Sequence, residues 1–496
     1  MAISYCDWLP SQMSSSTLTL LFILLGTPCS FIYFFSSPNR NKNGRKLLPG
    51  PAPLPIVGNI HMLGNLPHQS LHYLAKKYGP IMSIMLGKVP TIVVSSPEAA
   101  ELFLKVHDVV FASRPKVQSA EYFAYGGKAM AFTQYGSYWR TVRKWSILHF
   151  LSASKVECFA PIRKAEVGLL VESVRKVAAA GETINLSQAV AKVLEGMMSK
   201  VLFGRLMDDK IDFKPLVDEG YTRRLKKVSS GLHEFFDKMI DEYQQGINMD
   251  DQKPYRNFFQ VMVSLLDTPI NPNDEDQPYI VGRENIKAIM VDMVAASFDT
   301  TTTAIEWTFS ELLRHPRVMV ALQKELESVV GRNRMVEESD LPKLAYLDMV
   351  IKESFRLHPV APLLVPHEST EDVTVNGYFI PKKSRLLVNT WSMGRNPKIW
   401  SSNAEEFFPE RFKDRKIDLR GHDFELIPFG TGRRGCPGMQ LALISMRLIL
   451  AQLAHCFDWE LPDGMLPNEL DMSEKFGLSL PRANHLLAKS TYRLIA

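Results

Sequence analysis

The run Pro428–Gly438, PFGTGRRGCPG, constrains this chain more than any other segment. Glycines and prolines surround one cysteine, Cys436, just before the helical stretch MQLALISMRLILAQLAH. Glycine lets backbone amides turn inward and approach a ligand closely. Amides aimed at sulfur favour its anionic form, and the positive end of a following helix adds to that effect. Arg433 and Arg434 bring further positive charge. The surroundings suit a thiolate, the form in which cysteine binds metal. The other cysteines, Cys6, Cys29, Cys158 and Cys456, are scattered and form no CxxC pair, so neither a disulfide framework nor a zinc ribbon is indicated.

Three further segments carry paired or polar groups in apolar surroundings. KESFRLHP sets Glu353 and Arg356 three residues apart, on one helix face, and FFPERF supplies Arg411 downstream. WRTVR places Trp139 and Arg143 one helical turn apart. MVDMVAASFDTTTTAIEW, residues 290–307, reads as an apolar helix interrupted by Asp299, Thr300 and neighbouring hydroxyls. Such hydroxyls also bend helices by bonding back to the preceding turn.

Taken together these segments resemble the cytochrome P450 superfamily. Phe429, Gly432, Arg434, Cys436 and Gly438 match its heme-binding pattern FxxGxRxCxG. The resemblance runs from the proline-rich segment near the N-terminus to FGLSLPR near the C-terminus. It implies heme b ligated by Cys436, with Phe429, Gly432, Arg434 and Gly438 shaping the loop. Glu353, Arg356 and Arg411 resemble the family's structural triad, which locks the core behind the heme. Trp139 and Arg143, with Arg114 in FASRP and His367 in LLVPHES, match positions that contact the heme propionates. Many plant relatives carry Arg where His367 stands.

Asp299 and Thr300 match the family's acid–alcohol pair, implied to deliver protons when dioxygen is cleaved. Ser297 departs from the family, which usually has Gly there. Carried over by position, the substrate pocket comprises Tyr122, Phe123, Tyr125, Met293, Ala296, Val360, Leu363, Leu364, Leu478 and Leu480. Its apolar and aromatic character implies a small apolar or phenolic substrate.

Overall the chain resembles plant A-type microsomal monooxygenases, and VPHESTEDVTVNGYFIPKKSRLLVN resembles the branch containing biphenyl 4-hydroxylase. The implied reaction is NADPH- and dioxygen-dependent hydroxylation of a plant secondary metabolite, with 4-hydroxylation of a biphenyl phytoalexin precursor as one candidate. The resemblance implies that electrons come from a separate NADPH–cytochrome P450 reductase. Arg140, Lys144 and Arg433 are candidates for its docking face. The alternatives are a heme-thiolate isomerase or dehydratase, or a low-activity variant. The latter is suggested by the link from Arg205 to Thr222, shorter than the F–G region of relatives.

Thr17–Phe35 carries no charge, and basic residues follow it at Arg40, Lys42, Arg45 and Lys46. Its length suits a membrane-spanning helix, and the positive-inside rule puts the bulk of the chain in the cytosol. The expected organisation is an N-terminal membrane anchor at 1–36, a basic and Pro-rich hinge at 37–58, and a heme-thiolate catalytic domain at 59–496. The setting is a single-pass protein of the endoplasmic reticulum membrane, in contact with lipid. With 496 residues and a net charge of +5, the chain shows no basic block that would suggest a nucleic-acid partner.

Helical periodicity predicts helices near 68–78, 96–106, 137–151, 154–178, 187–203, 221–246, 284–313, 317–331, 347–357 and 438–455. β-like runs are IMSIML, TIVVS, VTVNGYFI and RLLVN. The expected fold is therefore mainly α with a small β region, the cytochrome P450 fold. Residues 267–281 read as a polar surface loop.

Overall fold

A computed structural model describes residues 44–206, 222–246, 257–269 and 280–495. The expected anchor at Thr17–Phe35, most of the short link after Arg205 and most of the 267–281 loop lie outside the described residues.

Apolar helices make the body. Leu186–Phe203, Asp299–Arg314, Pro316–Val330, Ala345–Leu357 and Met439–Cys456 pack together. Their shared core includes Leu194, Ile305, Phe309, Leu322, Ile351 and Leu450. Met439–Cys456 has the length and hydropathy of a membrane span, but about 67% of it is buried inside the protein, as befits a core helix. A second cluster gathers Trp139, Phe150, Phe236, Phe258 and Met290 around the helices Ser137–Ser146, Thr222–Gln244 and Arg283–Ser297.

The sheets are small. Ile81–Leu86 and Val89–Val94 form an antiparallel hairpin, Arg385–Val388 adds parallel to the second strand, and His367–Glu368 closes the edge. Val373–Val375 and Tyr378–Ile380 pair as a separate hairpin. Leu487–Tyr492 lies between Phe457–Glu460 and Ile184–Asn185. An isolated bridge from Ser113 to Glu368 brings Arg114 alongside the four-stranded sheet.

Two predicted helices are broken. The 154–178 helix is two, Ala153–Cys158 and Ala160–Ala179, because Pro161 lacks an amide to donate and begins a new helix instead. The 284–313 helix stops at Ser297 and resumes at Asp299, with Phe298 between them. Here the hydroxyls of Ser297, Thr300 and Thr301 donate to the carbonyls of Val294, Ala296 and Ser297, which competes with the regular ladder. Near 96–106 and 137–151 each helix ends in a π-helical turn, Leu102–Val106 and Ile147–Leu151.

Candidate active site

Cys436 sits at the end of a tight loop whose geometry depends on glycine. Gly430 and Gly432 both have φ of +66°. A Cβ on Gly432 would stand 2.8 Å from the Leu104 carbonyl oxygen, so a side chain there is excluded twice over. The Cys436 amide donates to the Phe429 carbonyl at 2.8 Å, closing the loop. The Phe429 ring meets Phe355 edge-on at 5.3 Å, fixing the loop to the Ala345–Leu357 helix.

The Cys436 thiol combines two properties that exclude each other on an ordinary surface. Surrounding protein pushes its pKa up, against the opposing pull of the Gly438 amide, Arg143 and the Met439 amide. Its side chain is nevertheless accessible to a water-sized sphere. Both hold for a sulfur facing an enclosed space. Ala296, on the Arg283–Ser297 helix, is likewise accessible, although Met293 and Val294 beside it are buried. Leu441 and Ile444, just beyond the cysteine, pack with Phe298.

Guanidinium groups collect around this space. Arg434 donates to the carbonyls of Ala112 (2.6 Å), Met130 (3.2 Å) and Thr133 (2.5 Å), and lies 4.2 Å over the Trp139 ring. Arg114 donates to the carbonyls of Val365 and Pro366, and Arg143 to that of Gly435 at 2.7 Å. Burial, then the neighbouring Arg434 and Arg143, holds Arg114 down to about 9. Burial, then Arg143, lowers Arg434 to about 10. Among the described residues, these three donate to main-chain carbonyls; Asp108 pairs instead with Arg433, at 3.0 Å. Arg114 Nε and Trp139 Nε1 are buried without a hydrogen-bond partner. Three clustered cations and two orphaned donors fit a dianionic ligand, as the two carboxylates of a heme supply. His367 Nδ1 donates to the Phe111 carbonyl at 2.8 Å; burial, reinforced by Arg114, holds its pKa well below the ordinary value.

Behind the loop, Glu353 accepts from Arg356 Nε and Nη2 and from Arg411 Nε, each at 2.8 Å, and from the Phe408 amide at 2.7 Å. Glu353 and Arg356 are fully buried. Arg356 also donates to the carbonyls of Gly394, Ala404 and Glu406.

Past the helix break, Ser479 donates its hydroxyl to Asp299, and Thr300 donates to the Ala296 carbonyl at 2.7 Å. Ser479, 180 residues further along the chain, had no local signal to reveal it. The residues proposed to line a pocket are dispersed. Met293 (7% exposed) and Ala296 share the Arg283–Ser297 helix, and Leu364 Cδ1 lies 4.0 Å from a Cβ built on Gly430. Val360 and Leu480 are joined by a backbone hydrogen bond, with Leu480 buried. Leu363 packs against the Met82–Ile84 side of the sheet. Phe123 is buried in the aromatic cluster. Tyr125 stacks on His233 at 4.1 Å, and the Tyr122 carbonyl accepts from Ser229; these tyrosines face the Thr222–Gln244 helix. Leu478 is exposed.

An enclosed yet accessible thiol beside arginines that lack a carboxylate partner, set in a helical body, fits a heme-thiolate protein. The family model described as cytochrome P450 matches residues 48–221 and 207–487. Cytochrome P450 CYP736A12 of Panax ginseng is 51% identical over 498 residues, covering 96% of this chain and 99% of that protein. The 5-epiaristolochene 1,3-dihydroxylase of Nicotiana tabacum is 36% identical, covering 97% and 99%. A solved zebra fish cytochrome P450 with abiraterone superposes with a TM-score of 0.74 at 26% identity, covering 86% of this chain and 100% of that one. The chain belongs to the cytochrome P450 family, as a plant A-type member and a monooxygenase that uses heme.

Proposed function

We propose that this enzyme hydroxylates a small apolar or phenolic plant secondary metabolite, with Cys436 as the residue that would ligate the heme iron and Arg114, Trp139, Arg143, His367 and Arg434 as those that would hold the propionates. The balanced reaction is RH + O2 + NADPH + H⁺ giving ROH, H2O and NADP⁺, with electrons relayed by a separate reductase. The carrying observation is the thiol that is enclosed yet accessible, beside a cationic cluster lacking a protein carboxylate. When bound, heme supplies the electron transfer and dioxygen activation that no protein side chain provides.

The chain's own residues bind, orient and move protons. Gly438 and Met439 amides and Arg143 stabilise negative charge on the Cys436 sulfur. Asp299, steadied by Ser479, and Thr300, at the break in the helix, deliver protons to the oxygen being reduced to water. Glu353, Arg356 and Arg411 hold the segment behind the cysteine loop rigid. Arg140 and Lys144 are exposed on the Ser137–Ser146 helix as part of a reductase-docking face, while Arg433 is tied to Asp108. Residues 1–36 anchor the chain in the endoplasmic reticulum membrane, 37–58 form the hinge and 59–496 the cytosolic catalytic domain. Exposed Leu54, Ile56, Val57 and Ile60 at the hinge's end support an apolar surface laid on lipid.

Microsomal expression with a reductase tests this reading. Products one oxygen heavier, formed only with NADPH, are expected from aromatic or terpenoid substrates, including biphenyls. Cys436→Ser should abolish the heme-thiolate ferrous–carbonyl absorbance and turnover together. A variant that kept that absorbance would overturn the assignment. Turnover without NADPH would identify an isomerase or dehydratase.

A further inference from the structure

A bridge between Glu474 and Arg482, with the Lys475 amide donating to the Pro481 carbonyl at 3.0 Å, closes a tight hairpin over residues 474–482. Three bonds tie that hairpin to the Asp299–Arg314 helix. The Ser479 hydroxyl donates to Asp299, Trp307 Nε1 donates to the Leu480 carbonyl at 2.7 Å, and Arg482 donates to the Ser310 hydroxyl at 3.0 Å. The Leu480 amide donates to the Val360 carbonyl at 2.9 Å, so both main-chain polar groups of the residue beside Ser479 are fixed. Trp307 is fully buried, and its ring lies flat on His358, 4.1 Å away with 6° between the planes. His358 is held in turn by Glu311 at 2.6 Å, so the indole has one setting. Nothing above uses it. Asp299, at the other end of the path, begins its helix directly after the break, and Phe298 before it gives no side-chain cap. Its carboxylate is oriented from outside its own helix, through Ser479.

We infer that Trp307 is a positioning residue for proton delivery: by holding the Leu480 carbonyl it fixes the point from which Ser479 directs the Asp299 carboxylate. This deepens the monooxygenase reading and rests on its assignment of proton delivery to Asp299. Eight residues of unbroken helix set the indole roughly 12 Å along the axis from Asp299, too far to touch it. Its influence therefore passes through the hairpin, from Trp307 to Leu480, Ser479 and back to the same helix at Asp299. Hydrogen bonds weaken steeply as their geometry is lost, and a displacement of about 1 Å in a catalytic array is costly to the reaction it serves.

Cumene hydroperoxide is the probe, with guaiacol supplying electrons to the heme-loaded protein, so that no substrate need be known. When a proton reaches the alkoxy oxygen as the O–O bond breaks, that oxygen leaves with both bonding electrons as cumyl alcohol. When the bond splits without it, one electron stays on each oxygen, and the cumyloxyl radical sheds a methyl radical to give acetophenone. The ratio of alcohol to ketone reports proton delivery, whatever fraction of the protein is folded. Asp299→Asn should lower the ratio about tenfold or more. Trp307→Phe keeps a ring against His358 and removes the N–H; it should lower the ratio about threefold or more, as should Ser479→Ala. The double variant should fall no further than Ser479→Ala alone, because both residues act along one path. Trypsin cleavage after Lys475 in the full chain is a readout apart from activity, and Trp307→Phe should speed it about fivefold, the worth of one hydrogen bond to the hairpin. An unchanged ratio in Trp307→Phe, additive losses in the double variant, or a lower ratio with unchanged cleavage would overturn the inference. If Asp299→Asn itself left the ratio unchanged, the assignment of proton delivery would fall with it, while the heme-thiolate assignment, read from the ferrous–carbonyl absorbance, would stand.

Discussion

Replacing Glu353 by Gln tests the buried triad with the smallest change of shape. Glu353 receives four hydrogen bonds, three of them from guanidinium nitrogens, and neither it nor Arg356 touches solvent. An amide keeps one acceptor oxygen but turns an NH2 group toward Arg donors. One bidentate partner is therefore lost, and two guanidiniums stay buried without a counter-charge. Arg356 still reaches the Gly394, Ala404 and Glu406 carbonyls, which offsets part of the loss. Removing one partner from a buried ion pair costs about 3–5 kcal/mol. Against a total stability of about 5–15 kcal/mol, that is enough to deplete the folded enzyme at growth temperature. Urea unfolding followed by tryptophan fluorescence measures it, because Trp400 lies beside both Arg356 and Arg415. The midpoint should fall sharply, with the yield of heme-loaded protein falling in parallel. A loss below about 1 kcal/mol, the range of an exposed pair, would refute the argument that burial makes this triad costly to break.

Other outcomes follow from the same geometry. Gly394→Ala should prevent accumulation of folded protein, since its Cβ would stand 2.0 Å from the Arg356 carbonyl oxygen; expression yield and heme content check this. Burial pushes the Asp292 carboxyl from 3.8 up to about 6, so the native state binds this proton more tightly than the unfolded chain. The group's contribution is most favourable below its ordinary value, declines as pH rises between about 4 and 6, and is flat above. Asp292→Asn should remove that decline and gain up to about 2–3 kcal/mol at pH 7 relative to pH 4, read as a difference in unfolding midpoint between the two pH values. Thr300→Val should lower NADPH-driven product formation about a hundredfold or more while sparing imidazole binding, which separates proton delivery from ligand binding. Equal loss of both would count against that role.

Much of the fold was legible because its signals are local. The β-like runs IMSIML, VTVNGYFI and RLLVN lie where strands form, and the helices Pro67–Tyr78 and Leu186–Phe203 match their apolar periods. The break at Phe298 was not drawn from periodicity, because hydroxyl back-bonding leaves the apolar spacing intact. The short helix Phe258–Val263 was missed, although Asn257 and Gln260 form a capping box readable in NFFQ. In the site, motif spacing marked Cys436, Glu353 and Arg356. The Ser479 contact to Asp299, the carbonyls held by Arg434 and the amides held by Asp292 join segments distant in sequence, where spacing carries no information. Asp292 itself was visible as a lone acid among MVDMVAAS, but a lone acid has no meaning until its neighbours are known.

The grip on residues 130–133 uses only main-chain atoms of that segment: Arg434 takes two carbonyls and Asp292 takes amides. No side chain of Met130, Ala131, Phe132 or Thr133 is needed for that hold. Met130 is packed in the aromatic cluster and Thr133 is buried with its hydroxyl on the Gly127 carbonyl, so descendants of this enzyme are free to exchange only the half-buried side chains of Ala131 and Phe132 while the framework that presents them stays put.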